Sequence, residues 1–101
     1  MNFMIERIVR MSFRDESVKD FIRVFDVSKN AIASFKGCRG LKLLRDIKHK
    51  NVYFTYGLWD DESALESYRN SPLFETTWAQ TKALFDHKPM AWSTHVAEVV
   101  K

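Results

Sequence analysis

The succession of periodic segments in this 101-residue chain predicts an α+β fold: an antiparallel β-sheet in β-α-β-β-α-β order, with both helices on one face. Three observations carry this. Residues 3–13 alternate with period two, and the following stretch repeats its apolar residues at helical spacing. Two further strand-like segments are separated only by His49, Lys50 and Asn51, which makes them a hairpin. A second helical stretch then leads into a β-branched C-terminal segment.

Each element has its own signal. In the first strand Phe3, Ile5, Val9, Met11 and Phe13 share one face with Arg7 in their midst, while Met4, Glu6, Ile8, Arg10 and Ser12 form the other. Asp15 stands at an N-cap position, followed by acidic Glu16 and Asp20. Val18, Phe21, Ile22, Phe25, Ile32 and Phe35 then predict a helix from Glu16 to Lys36, closed by Gly37. Leu41–Ile47 and Val52–Trp59 read as the hairpin strands. Asp60 and Asp61 open a short helix through Glu66, Tyr68 and Asn70, and Ser71-Pro72 breaks and restarts it with a Ser cap and a first-turn Pro. Thr77, Trp78, Thr81, Leu84 and Phe85 continue one stripe with Leu73 or Phe74, Lys88-Pro89 ends it, and Trp92–Val100 is the last strand. The whole is a ferredoxin-like sheet in one domain spanning 1–101. Nothing in the chain covers the sheet face that carries Met4 and Ile8, so a second copy of the chain is the expected cover.

Composition removes several function classes. A single cysteine, Cys38, permits no internal disulfide or thiolate-rich metal site and fits a reducing compartment, so a cytoplasmic location is expected. His49, His87 and His95 are scattered, and no metal site is expected. No apolar run reaches the length of a membrane span, and the three glycines form neither dinucleotide nor P-loop phosphate motifs. Charge is uneven: residues 1–50 carry twelve basic and six acidic side chains, and residues 51–101 carry four and seven. The densest part is Lys36, Arg39, Lys42, Arg45, Lys48 and Lys50. With no nucleic-acid motif beside it, this cluster reads as a solvated hairpin whose lysines discourage edge pairing.

Fourteen aromatic rings, eight Phe, three Trp and three Tyr, exceed what one small core hides. The surplus points to a dimer interface, a ligand pocket, or both. Arg7 is the second anomaly, because a guanidinium on an apolar strand face is costly unless it is paired or serves a ligand.

The stretch TYGLWDDESALESYRNSPLFETTW, Thr55 to Trp78, resembles the antibiotic biosynthesis monooxygenase family. It shares a strand-ending Trp, an acidic turn, a short helix with an aromatic at Tyr68, a Ser/Pro break, then Phe74 and a large residue at Trp78. The resemblance implies a dimeric α+β barrel, formed through the sheet face. Haem-degrading members use an Asn in the first strand, a Trp in the first half of the broken helix and a haem-ligating His in the second. Arg7, Tyr68 and Trp78 stand in those places here, and an indole cannot replace an imidazole as axial ligand, so haem degradation is not expected. The branch that oxidises electron-rich aromatics or quinols with dioxygen needs no cofactor, and the resemblance implies that activity on a small aromatic compound. The alternative is a non-catalytic, small-molecule-binding or stress-related barrel protein.

That chemistry asks for water exclusion, proton handling and a cation for the substrate anion. Arg7 is the candidate cation, against an ion pair with a helix carboxylate. Tyr68, at the pocket mouth the resemblance implies, is a candidate for proton handling, with Asn70 beside it as a binding residue or a helix end. Trp78 and Phe74 are candidates for the pocket wall, against core packing. His95 is a candidate base if the last strand turns it inward. Phe54 and Tyr56 share one face of the third strand, opposite Tyr53, Thr55 and Trp59. One set lines the pocket and the other the dimer face, and alternation does not decide which.

Overall fold

The computed structural model describes residues 3–101. Strand β1 (Ile5–Ser12) is followed by a 3-10 turn at Asp15–Ser17 and helix α1 (Val18–Ala33). The hairpin strands are β2 (Cys38–Arg45) and β3 (Val52–Trp59). Helices α2 (Glu62–Arg69) and α3 (Pro72–Lys82) follow, then β4 (Met90–Thr94). The sheet order is β2-β3-β1-β4, and every neighbouring pair is antiparallel. This is the expected ferredoxin-like α+β arrangement.

Local chemistry sets the helix ends. The expected Asp15 cap is absent: the chain enters α1 through the 3-10 turn, and Ser17 at the cap position makes no side-chain cap bond. The helix stops at Ala33, three residues short of Lys36, and a turn leads to Gly37. Gly37 has φ +89°, and a Cβ there would lie 2.5 Å from the Ala64 Cβ, so glycine is required both by conformation and by the close passage of α2. The break between α2 and α3 follows the expected design. Asp61 accepts the Ala64 N–H at 2.8 Å, and Ser71 Oγ accepts the Phe74 N–H at 3.1 Å while donating to the Tyr68 carbonyl at 2.6 Å.

Two strands differ from the sequence reading. β2 begins at Cys38 rather than Leu41, because Cys38 and Gly40 pair with Trp59 and Leu58 through a bulge. It ends before Ile47, because the Asp46 carboxylate accepts the Lys48 and His49 N–H groups at 2.9 and 2.8 Å and turns the chain. Ile47 is accordingly 97% exposed. β4 is Met90–Thr94 rather than Trp92–Val100, since its ladder with β1 runs only from Arg10↔Met90 to Glu6↔Thr94. Val96, Val99 and Val100 lie exposed beyond it.

The buried side chains form two clusters. Met11, Phe13, Phe21 and Tyr53 make one, packed by Phe25, Trp78 and Phe85. Ile5, Trp59 and Leu65 make the other, packed by Phe35, Cys38 and Tyr68. No helix among the described residues is long and apolar enough to cross a membrane.

Candidate functional site

Strand register explains why a space exists between sheet and helices. On the helix side of the sheet, Leu41, Gly57, Arg7 and Ser93 stand in one row across the four strands, and Leu43, Thr55, Val9 and Ala91 stand in the next. Small residues at Gly57, Ser93 and Ala91 leave the floor low where α1, α2 and α3 bridge above it. The result is a cavity of about 320 Å³ whose lining draws on both buried clusters, including Met11, Phe21, Trp59 and Leu65. A Cβ on Gly57 would come within 2.8 Å of the Trp59 indole nitrogen, so the missing side chain is what lets Trp59 fold over the floor beside Arg7.

The helix break shapes the roof. Tyr68 closes α2 and Phe74 opens α3, and their rings meet edge to face at 5.3 Å between centroids. Tyr68 also stacks on Trp59 at 4.9 Å, and Phe74 stacks on Trp78 at 5.9 Å. Trp78 continues to Phe85 at 5.6 Å. Each contact adds directional preference to area burial. The hydroxyls of Ser28 and Thr81, also on the lining, are spent on the Val24 and Thr77 carbonyls, both at 2.8 Å, and demand nothing of a ligand.

Electrostatically the cavity is one-sided. Among the described residues its charged lining residues are Arg7 and Arg69, and no Asp, Glu or His lines it. Arg7 Nη1 donates to Ser93 Oγ at 3.0 Å, and no carboxylate among the described residues forms a salt bridge with it. Its guanidinium is held below its ordinary pKa, first by burial and then by Arg69, with Glu66 opposing. Arg69 touches Glu66 at 3.6 Å. Burial, and then the Cys38 thiol beside it, pushes the Tyr68 phenol up to about 12. Tyr68 therefore stays a neutral phenol near neutral pH.

The sequence profile described as Antibiotic biosynthesis monooxygenase matches residues 4–80, which carry β1, the hairpin, nearly all of the broken helix and most of this lining. This chain belongs to the antibiotic biosynthesis monooxygenase family. Solved structures share the fold. A Caulobacter crescentus CB15 protein named for the family superposes with a TM-score of 0.86 at 20% identity, over 96% of this chain and 92% of that one. A Nitrosomonas europaea protein named for the family gives 0.89 at 9% identity, over 96% and 93%. A conserved Methanosarcina mazei Go1 protein gives 0.88 at 14% identity, over 92% of each chain. No curated protein matches the sequence.

Within this family fold, Arg7, Tyr68, Phe74 and Trp78 converge on one cavity, and the other sequence candidates lie elsewhere. His95 stands just past the end of β4, exposed and stacked on Phe3 at 4.6 Å, and does not line this cavity, so the strand does not turn it inward as a base there would require. Asn70 caps α2 on the exposed side, and its amide donates to Glu66 at 3.4 Å, so it is a helix end. Phe54 and Tyr56 face away from the helices. Phe54 shares a row with Leu44 and Arg10, and Tyr56 shares one with Lys42 and Ile8. The Tyr56 hydroxyl donates to Glu6, and Lys42 Nζ lies 5.0 Å above its ring. Both therefore belong to the open sheet face and not to the pocket. Arg69, Gly57 and Trp59 complete the site although the sequence reading did not select them as site residues. The signal for Arg69 was the spacing of Leu65, Tyr68 and Arg69, which puts all three on one helix face.

Proposed function

We propose that this chain is a cofactor-independent monooxygenase that oxidises a small aromatic or quinol-like compound with dioxygen in the cavity between the sheet and the broken helix. One observation supports this above the rest: an aromatic-walled cavity holds an arginine that forms no salt bridge among the described residues. A bound phenol that loses its proton gives one electron to dioxygen, and the resulting phenoxyl radical and superoxide combine at a ring carbon. Loss of water from that hydroperoxide leaves the quinone, so phenol plus dioxygen yields quinone plus water. The electrons come from the substrate. Arg7 stabilises the phenolate, the neutral Tyr68 hydroxyl donates a hydrogen bond to an oxygen, and Trp59, Phe74 and Trp78 exclude water.

Oxygen uptake with a panel of naphthols and quinols tests the reading. One dioxygen consumed per quinone formed is expected; compounds that bind yet consume none above the uncatalysed rate would refute it. The lack of any Asp, Glu or His on the lining favours, as the second reading, a protein that binds such compounds without turning them over.

The functional unit in this proposal is a homodimer joined through the open sheet face. Ile8, Leu44, Phe54, Leu58 and Trp92 lie there, and Trp92, beside Ile8 in the register, is 44% exposed in the single chain. Sedimentation equilibrium should return twice the 11.9 kDa chain mass. Ile8→Glu with Trp92→Glu should return the single mass, because two buried carboxylates per protomer would face apolar surface. An unchanged dimer in that variant would place the interface elsewhere.

A further inference from the structure

Resting on the cavity as the substrate site, we propose that its substrate is a hydroxylated aromatic acid, its reacting oxygen held by Arg7 and its carboxylate by Arg69. The proposed reaction uses one cation, and the cavity has two. Arg7 rises from the floor, hydrogen-bonded to the neutral Ser93 hydroxyl, with further N–H donors left over. Arg69 comes from the last turn of α2, next to Tyr68, and is 43% exposed at its side chain, which sets it at the mouth. Two guanidinium groups on one apolar lining repel each other, and Glu66, which lies off the lining, offsets that repulsion only in part. A ligand with an anionic group at each end relieves that repulsion and satisfies both.

Carboxylate is the chemistry that fits Arg69. A planar guanidinium fork matches two oxygens in one plane, and it does so at a site flanked by aromatic rings. The present partner of Arg69 is Glu66, one turn away, through a single 3.6 Å contact between two well-exposed side chains. Pairs of that kind are weak, so an incoming carboxylate displaces Glu66 without great cost. By contrast, Arg39 lies outside the lining and engages both oxygens of Asp60, which leaves it no such role.

Calorimetric titration with hydroxynaphthoates and the matching hydroxynaphthamides tests this, because each pair differs only in charge at one substituent. The native protein should bind the acid about tenfold tighter than its amide. Arg69→Gln should bring the two within about twofold by lowering acid affinity alone, since one charge-assisted contact is lost. Glu66→Gln should widen the preference, because it frees Arg69 and removes a competing carboxylate. Equal binding of acid and amide by the native protein overturns the proposal while leaving the aromatic site intact, and so does a preference that survives Arg69→Gln. Failure of acids, amides and 2-naphthol alike to bind overturns the site reading itself.

Discussion

Arg7→Gln is expected to lower kcat/KM for phenol oxidation by about a hundredfold, the usual effect of losing one donor from a site that stabilises developing negative charge. The half-buried position of Arg7 makes the loss large: few solvent dipoles compete there, and the cation acts through an apolar surrounding. The pH profile gives a second readout. A cation beside a phenol favours the phenolate and lowers its pKa, so removing the charge should move the alkaline rise of kcat/KM upward by about 1–3 pH units. Tyr68, pushed up to about 12, stays neutral across that range and contributes no step to the profile. Stability should move the opposite way or not at all. The guanidinium is desolvated and repelled by Arg69, so the shorter, neutral glutamine relieves that cost while giving up the Ser93 hydrogen bond. Lower activity at an equal or higher Tm is therefore the expected pair of results. Unchanged kcat/KM with an unchanged profile would remove Arg7 from the reaction.

The position of Arg7 was legible because strand alternation is strict: once Ile5, Val9 and Met11 face the core, Arg7 has to face it too. The helix break was legible for an equally local reason, since proline after a serine cap both ends one helix and starts the next. What escaped depended on neighbours distant in sequence. Alternation sorted β3 into two faces without saying which one the helices cover, and so left Phe54 and Tyr56 as candidates. The covered face proved to be the one bearing Tyr53, Thr55, Gly57 and Trp59. His95 would have shared the face of Ile5 had β4 continued, but the β1–β4 ladder ends at Thr94 and the imidazole turns to Phe3. Gly57 went unnoticed because an absent side chain has no pattern, although it opens the floor of the cavity. The excess of rings resolves in the same terms. Ten of the fourteen form a continuous chain of contacts through the core and the cavity wall, from Phe35 to Tyr53. The other four are Phe3, stacked on His95, and Phe54, Tyr56 and Trp92 on the open sheet face.

Phe13→Ala should have the largest effect on stability. Phe13 is fully buried and lies at the hub of that chain, 4.2 Å from Phe21, 5.3 Å from Phe85 and 6.2 Å from Tyr53 between ring centroids. Its backbone also forms an isolated bridge with Phe85. Emptying such a position costs about 3–5 kcal/mol, because the lost transfer energy is joined by a cavity that the surrounding rings fill only in part. Against a total stability of roughly 5–15 kcal/mol for a domain of this size, that is a large share. At about 4–8 °C per kcal/mol, Tm should fall by roughly 12–40 °C. Ile47→Ala, at a 97% exposed turn, should shift stability by less than about 0.5 kcal/mol and serves as the control. The effect should reach the site as well, since Phe85 is the shared neighbour of Phe13 and Trp78. With Phe13 shortened, Phe85 gains room to drop inward and Trp78 loses its edge support, so aromatic ligands should bind more weakly even at temperatures where the variant is folded. A melting temperature within a few degrees of the native protein would mean that the hub is not carrying the packing its burial implies.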